Sequence, residues 1–349
     1  MGLQQFWFVV VAVLFLGFFI LEGFDFGVGM VMGWLGRRSA AAATGEVESH
    51  RRAVLNTIGP VWDGNEVWLL TAGGAMFAAF GGWYATMFTA FYLPLLLILV
   101  ALIVRVCAIE WRGKINDPQW RRAWDWCIAV GSWVPALLWG VAFANVVRGL
   151  PINSDAQFTG TFWGLLNPYA LLGGLTTLLA FLTHGAVFLS LKTADSLRDE
   201  AMLWASRLSV AMTVVAAAFL LWTQFAYGKG WTWAPVLIAA VAALATIVFT
   251  WTKREGWAFG ATSIAIISTI VTLFGCLYPS VLPSTTDSAY SLTIANTSSS
   301  HYTLVIMTWA AAFITPVVVI YQGWSYWVFR QRISTDAIPP SVGLASLRG

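Results

Sequence analysis

The chain has 349 residues, of which 59% are hydrophobic and 10% charged, and its formal net charge is +3. A soluble domain carries about 25% charged residues, so this composition excludes an ordinary water-facing surface. The small net charge gives no sign of nucleic-acid binding, whereas the 21 Trp residues suit the headgroup level of a bilayer. The sequence therefore predicts an all-α integral membrane protein in contact with lipid.

A helix needs about 20 apolar residues to cross a bilayer core of about 30 Å. Apolar segments of about that length or longer predict nine transmembrane helices, which form a single transmembrane domain over residues 1–349. In chain order the predicted helices cover 4–35, 54–80, 84–110, 123–147, 165–191, 203–227, 233–252, 257–279 and 302–329. Helices 1–4 and 5–8 then run in the same directions, which permits two four-helix bundles with the ninth helix at the periphery.

The basic residues predict the orientation of these helices. All but three of the 19 Lys and Arg residues, among them Arg37, Arg38 and Arg348, fall on the connections after helices 1, 3, 5 and 7 or on the C-terminal tail. By the positive-inside rule, the N-terminus is outside and the C-terminus is cytoplasmic. The outer connection 280–301 is rich in Ser and Thr, and either a cap over the outer face or a solvated loop fits it.

Four carboxylates lie inside predicted spans: Glu22 and Asp25 in helix 1, and Asp63 and Glu66 in helix 2. Each pair has i, i+3 spacing, which places its two members on one helix face. Counting 1.5 Å per residue from the cytoplasmic arginines puts all four about 16–23 Å into the membrane. Ionisable residues at that depth are costly and indicate a functional site.

Two interpretations of these carboxylates stay open. Clustered carboxyl groups in a low-dielectric site share protons, which is the chemistry of a proton relay. Alternatively, they accept hydrogen bonds from Trp62, Asn65 or backbone groups, and the network only fixes helix packing.

Arg105 lies one to two turns inside the cytoplasmic end of helix 3, with Glu110 close by in sequence. Its long side chain can reach the interface, or it can pair with a buried carboxylate or with an anionic group of a cofactor or partner. Asp125, at the start of helix 4, is a further predicted partner for Arg105.

The histidines argue against a haem held by two histidines of this chain. A b-type haem takes axial ligands from facing helices, but His50 and His301 lie in connections and His184 is alone in helix 5. His184 is either a single haem ligand or a hydrogen-bonded core residue. The three Cys residues lie in or beside apolar runs without a CxxC motif, so no metal site is predicted.

Several motifs together resemble subunit II of the cytochrome bd quinol oxidases over essentially the whole chain. They are Gly-Phe-Asp-Phe-Gly-Val-Gly at 23–29, Pro-Val-Trp-Asp-Gly-Asn-Glu-Val-Trp-Leu at 60–69, Thr-Ala-Gly-Gly-Ala at 71–75, Trp-Arg-Arg-Ala-Trp-Asp-Trp at 120–126, Asn-Pro-Tyr at 167–169, the segment 279–286 and Met-Thr-Trp at 307–309. The Trp-Asp-Gly-Asn motif is the most specific of these.

The resemblance implies a haem-free subunit in the bacterial plasma (inner) membrane. Its partner would be a haem-bearing subunit I that holds two b-type haems and one d-type haem and oxidises quinol, often with a one-helix small subunit. The complex would reduce dioxygen to water with cytoplasmic protons and so generate proton motive force without pumping. Some members hold a structural quinone in subunit II, but this sequence identifies no quinone pocket.

Carried over by position, Asp63 and Asp25 belong to a proton uptake route toward the subunit interface. Arg105, Asp25 and Asp125 match positions associated with intact haem sites. The rival hypothesis from the residues alone is a proton-coupled secondary transporter, since buried carboxylates and an arginine also suit ion coupling.

Overall fold

The computed structural model describes residues 2–35, 47–339 and 343–344. Arg37, Arg38 and Arg348, which contributed to the predicted orientation, lie outside the described residues. The helices are α1 (Leu3–Val31), α2 (Val47–Ile58), α3 (Trp62–Ala79), α4 (Gly81–Ala90), α5 (Tyr92–Trp111), α6 (Pro118–Arg148), α7 (Pro168–Lys192), α8 (Asp195–Tyr227), α9 (Trp233–Trp251), α10 (Glu255–Leu277) and α11 (His301–Val328). Two short antiparallel strands, β1 (Ser280–Leu282) and β2 (Leu292–Thr293), lie between α10 and α11.

In the described part of the chain, eight helices are long and apolar enough to cross a membrane: α1 and α5 to α11. This confirms an all-helical integral membrane fold. Helix α3 has 18 residues, but its first turns carry Asp63, Asn65 and Glu66 and lower its apolar character. The count of nine spans, their grouping into bundles and their orientation therefore stay predictions.

Two predicted helices are each divided in the structure. The helix predicted over 54–80 ends at Ile58 and restarts at Trp62, because Pro60 lacks an N–H and disfavours helical geometry at the residue before it. The helix predicted over 84–110 is split at Phe91 into α4 and α5. Pro94 lies in the first turn of α5, where its missing donor costs nothing.

Other helices begin earlier than predicted, because their first turns are polar and fall outside an apolar window. Helix α6 begins at Pro118 rather than residue 123, with the Asp117 side chain accepting a hydrogen bond from the Gln119 N–H at 2.7 Å. Helix α8 begins at Asp195 rather than residue 203. Such capping side chains satisfy donors that a helix start leaves open.

Helix α1 is the centre of the packing and contacts α3, α6, α7 and α10. Its approach to α7 is close because glycines face each other: a Cβ at Gly27 would overlap the Phe181 carbonyl oxygen and lie 2.7 Å from the Gly185 Cα. Such small-residue contacts are how membrane helices approach without a hydrophobic driving force. Helix α11 lies outside this core, and Leu304 is its one buried residue among those described.

The segment between α10 and α11 packs against the connection between α6 and α7. Val281 and Leu282 are fully buried. Leu150 donates from its N–H to the Pro283 carbonyl and accepts from the Thr285 N–H, each at 2.9 Å. Of the two alternatives for this segment, the structure supports the packed cap.

Candidate functional site

A buried ion pair joins α1 and α5. Arg105 Nη1 lies 2.5 Å from Glu22 Oε1, and both side chains have no exposed surface. The guanidinium also lies over the Phe26 ring, 4.9 Å from its centroid. Arg105 thus does not reach the interface, and its partner is Glu22; the predicted pairing with Asp125 is wrong.

Gly131 on α6 makes this position of Arg105 sterically possible. A Cβ on Gly131 would lie 2.6 Å from the Arg105 Cβ and 2.7 Å from the Ala101 carbonyl oxygen. The backbones of α5 and α6 therefore pack directly against each other at the level of the ion pair. This contact leaves no open space between the ion pair and α6.

Asp25 lies one helix turn from Glu22 and is also fully buried. Its Oδ2 accepts a hydrogen bond of 2.6 Å from Asn65 Nδ2 on α3. Asn65 Oδ1 in turn accepts hydrogen bonds from Tyr326 Oη at 2.6 Å and from Gln322 Nε2 at 3.3 Å, both on α11. The predicted partner Asn65 thus links the first helix to the last.

Glu66 completes the charged cluster. It is half-buried and lies within electrostatic reach of Arg105 and Asp63, and Glu22 lies within reach of both Asp25 and Glu66. Within the described residues, five buried polar atoms of the cluster lack a hydrogen-bond partner: Glu22 Oε2, Asp25 Oδ1, Glu66 Oε2, and Arg105 Nε and Nη2. Buried polar atoms are normally satisfied, so this cluster has unused hydrogen-bonding capacity.

Three other predicted site residues are more exposed than the buried part of this cluster, although Asp63 lies within electrostatic reach of Glu66. Asp63 is exposed on the face of α3 that points away from the helix core. Trp62 beside it is half-buried, and Glu110 is exposed near the end of α5. The structure therefore brings Glu22, Asp25 and Glu66 together around Arg105 and directs Asp63 outward.

Asp125 belongs to a second ionic network at the ends of α5 and α6. Its carboxylate pairs with Arg112 at 2.5 Å and with Arg51 on α2 at 2.9 Å. Arg112 also binds both oxygens of Glu48 at 2.8 Å. Burial opposes the charge on Arg112, but hydrogen bonds to Glu48 and Asp125 outweigh it and raise the pKa of Arg112. Burial likewise opposes the charge on Glu48, but Arg112, followed by Arg121 and Arg51, lowers its pKa.

His184 and His50 each contact a hydroxyl group on another helix. His184 is fully buried, its Nδ1 lies 2.7 Å from Thr262 Oγ1, and its ring stacks on Phe259 at 4.6 Å. The contact with Thr262 supports the alternative of a hydrogen-bonded core histidine. His50 Nε2 lies 3.4 Å from Ser196 Oγ.

Gln322 and Tyr326 are site residues that sequence reasoning missed. They are spaced i, i+4 on α11, so both project from one face. A polar pair at this spacing within an apolar helix was the available signal, but the identity of their partner, Asn65, required the tertiary structure.

Together, the fold and the buried ionic cluster define a multi-pass membrane protein with charged groups held between helices. Residues 3–329 match the model of the family described as cytochrome bd terminal oxidase subunit II, and the chain belongs to that family. It is therefore a subunit of a quinol oxidase, an oxidoreductase of the bacterial inner membrane, as the sequence motifs predicted. The alternative of a secondary transporter is not supported.

Known proteins similar to this chain agree. Cytochrome bd ubiquinol oxidase subunit 2 of Bacillus subtilis (strain 168) is 41% identical to this chain, and the alignment covers 95% of this chain and 97% of the Bacillus subtilis protein. Cytochrome bd-I ubiquinol oxidase subunit 2 of Escherichia coli (strain K12) is 34% identical, covering 96% of each chain. A chain of the solved bd oxidase from Geobacillus thermodenitrificans superposes with a TM-score of 0.72 at 15% identity, covering 94% of this chain and 97% of that one, which shows the fold.

Proposed function

We propose that this chain is the haem-free subunit of the oxidase and conducts cytoplasmic protons toward haems b and d of a haem-bearing subunit I, where dioxygen is reduced to water. Quinol is oxidised on subunit I, and the complex generates proton motive force without pumping. A one-helix small subunit and a structural quinone are further components that the family resemblance implies.

The observation that carries the proton path is the charge balance of the buried cluster. Three carboxyl groups, Glu22, Asp25 and Glu66, share one guanidinium. An uncompensated charge buried away from water costs several kcal/mol. The cluster therefore lowers its energy by holding protons, and carboxyl groups that share protons can pass them on, as a relay requires.

Asp63 supplies the link between this cluster and subunit I. It lies on the same exposed face of α3 as Val67, Leu70 and Phe77, which are 43%, 71% and 62% exposed. A carboxylate facing lipid is strongly unfavourable, whereas a carboxylate on an apolar face covered by another subunit can line a route along the interface. Protons then pass from Asp25 and Glu22 past Glu66 to Asp63 and on to the subunit interface.

The membrane topology belongs to the same proposal. Residues 54–80, which run from the end of α2 through α3, form the second of nine spans, with the N-terminus outside and the C-terminus cytoplasmic. Helices α1 to α10 form two four-helix bundles, and α11 is the peripheral ninth span. The proposal is supported by the basic residues on alternate connections and by the single buried residue described on α11.

The test uses the intact complex purified through a tag on this chain. A reduced-minus-oxidised spectrum is expected to show haems that come from the co-purified partner. Asp25→Asn is expected to lower quinol-driven oxygen consumption per haem present in the complex. The absence of a haem partner would refute the assembly, and normal turnover of Asp25→Asn would refute the proton path.

A further inference from the structure

Helix α11 touches the buried site through two polar side chains on one face. Tyr326 Oη and Gln322 Nε2 both donate to Asn65 Oδ1, at 2.6 Å and 3.3 Å. Gln322 Nε2 also lies 3.3 Å from the Gly64 carbonyl oxygen. Helix α11 is peripheral, and one of its described residues is buried. Two of its polar side chains nevertheless donate to the same amide oxygen.

The direction of these hydrogen bonds is determined by Trp68. An indole N–H can only donate, and Trp68 Nε1 lies 2.8 Å from the side chain of Gln322, so the atom facing it is Gln322 Oε1. The amide nitrogen of Gln322 must then face Asn65, which makes the facing atom of Asn65 its oxygen. The network therefore has one consistent orientation.

That orientation leaves the amide nitrogen of Asn65 pointing at Asp25. Asn65 Nδ2 donates to Asp25 Oδ2 at 2.6 Å. With the amide reversed, the Asn65 oxygen would face an oxygen of the ionised Asp25 carboxylate at that distance, and Gln322 Nε2 would face the amide nitrogen of Asn65. An amide donor at this length stabilises a carboxylate acceptor in a site without water contact.

We propose that Gln322 and Tyr326 are positioning residues that lock the Asn65 amide in its donating orientation, so that α11 controls the hydrogen bonding of the Asp25 carboxylate. This inference rests on the proposed role of Asp25 in proton transfer. Helix α11 then orients a hydrogen-bond donor of the site in addition to packing against it.

The experiment compares Tyr326→Phe and Gln322→Met with the control Tyr321→Phe in the purified complex. Tyr321 is on the same helix but 65% exposed, so its variant should match the parent. Tyr326→Phe is expected to lower oxygen consumption about 3- to 10-fold, the factor that one hydrogen bond of ordinary strength represents. Gln322→Met is expected to have a smaller effect because its bond is longer. Haem content should not change.

Two readouts separate positioning from general damage. The infrared bands of the Asp25 carboxyl group, assigned with Asp25→Asn, should shift in Tyr326→Phe and not in Tyr321→Phe. In an Asn65→Ala background, Tyr326→Phe should cause no further loss, since residues that act through one another are non-additive. Additive losses, unshifted bands or normal turnover would overturn the inference.

The outcome is distinguishable from failure of the proton path. If Asp25→Asn turns over normally, the proposed function fails. If Asp25→Asn is slow while Tyr326→Phe and Gln322→Met are normal, only the positioning role fails. If both α11 variants lose haem, the helix acts in assembly and the positioning role is likewise refuted.

Discussion

The ion pair between Arg105 and Glu22 allows a quantitative test by substitution. Arg105→Met keeps most of the side-chain volume and removes the charge, leaving Glu22 buried without its partner at 2.5 Å. Removing one partner of a fully buried pair costs about 3–5 kcal/mol. The contact with Phe26 adds to this loss, since a desolvated cation over an aromatic ring contributes up to about 2 kcal/mol.

The double variant Glu22→Gln/Arg105→Met distinguishes a lost charge balance from lost packing. Replacing a buried pair by neutral groups of similar volume is often close to neutral in stability, so the double variant should be more stable than Arg105→Met alone. A difference of 3 kcal/mol corresponds to a factor of about 150 in the equilibrium between folded and unfolded protein.

The assay is haem content per purified complex, together with unfolding of the complex followed by tryptophan fluorescence. We expect Arg105→Met to reduce both haem content and stability, and the double variant to restore most of both. If the double variant is as unstable as Arg105→Met, the arginine acts through its shape and the electrostatic reasoning is refuted.

Three other substitutions test separate parts of the structure. Asp63→Asn should lower oxygen consumption while the haem spectrum stays normal; unchanged turnover would remove Asp63 from the proton route. Gly27→Ala should destabilise the complex by forcing α1 and α7 apart. The control Gly256→Ala should be neutral or slightly stabilising, because nothing lies within 4 Å of its new Cβ. Equal effects of the two substitutions on thermal unfolding would contradict this. Glu48→Gln should lower stability at neutral pH. The lowered pKa of Glu48 beside Arg112 means that its contribution is complete above the unfolded-state value of about 4.3 and is lost as the pH falls through the lower folded-state value. The difference between the parent and Glu48→Gln in a pH series of unfolding should therefore vanish on acidification, and a difference that persists would refute the assignment.

The sequence predicted the features that depend on local composition. Apolar runs located the long helices, and the i, i+3 spacing identified Glu22 and Asp25 as a pair on one face. The break at Gly59 and Pro60 was also within reach of a local rule, since proline restricts both itself and its predecessor. The polar first turns of α6 and α8 were missed because an apolar window does not detect capped helix starts.

Pairings between distant segments could not be predicted in the same way. Depth counting placed four carboxylates at similar levels, but it did not determine the rotation of α3 about its axis, which directs Asp63 outward and Asn65 inward. The sequence left Arg105 several possible partners, namely any of the four carboxylates of the first two predicted helices or Asp125. The choice between them depended on how α1 packs against α5 and α6, which the sequence pattern does not encode.

The link between Asn65 and Tyr326 has a consequence for how the protein is made. These residues are 261 positions apart, so at about 5–20 residues per second the amide is synthesised about 13 to 52 s before its tyrosine partner. Arg105 follows Glu22 by 83 positions and is synthesised within about 4 to 17 s at the same rate. The groups of the buried site thus become available in stages, those of the ion pair first and those of α11 last. A chain that ends before α11 carries the carboxylates of the first helix into the membrane without the groups that orient their hydrogen-bond donor.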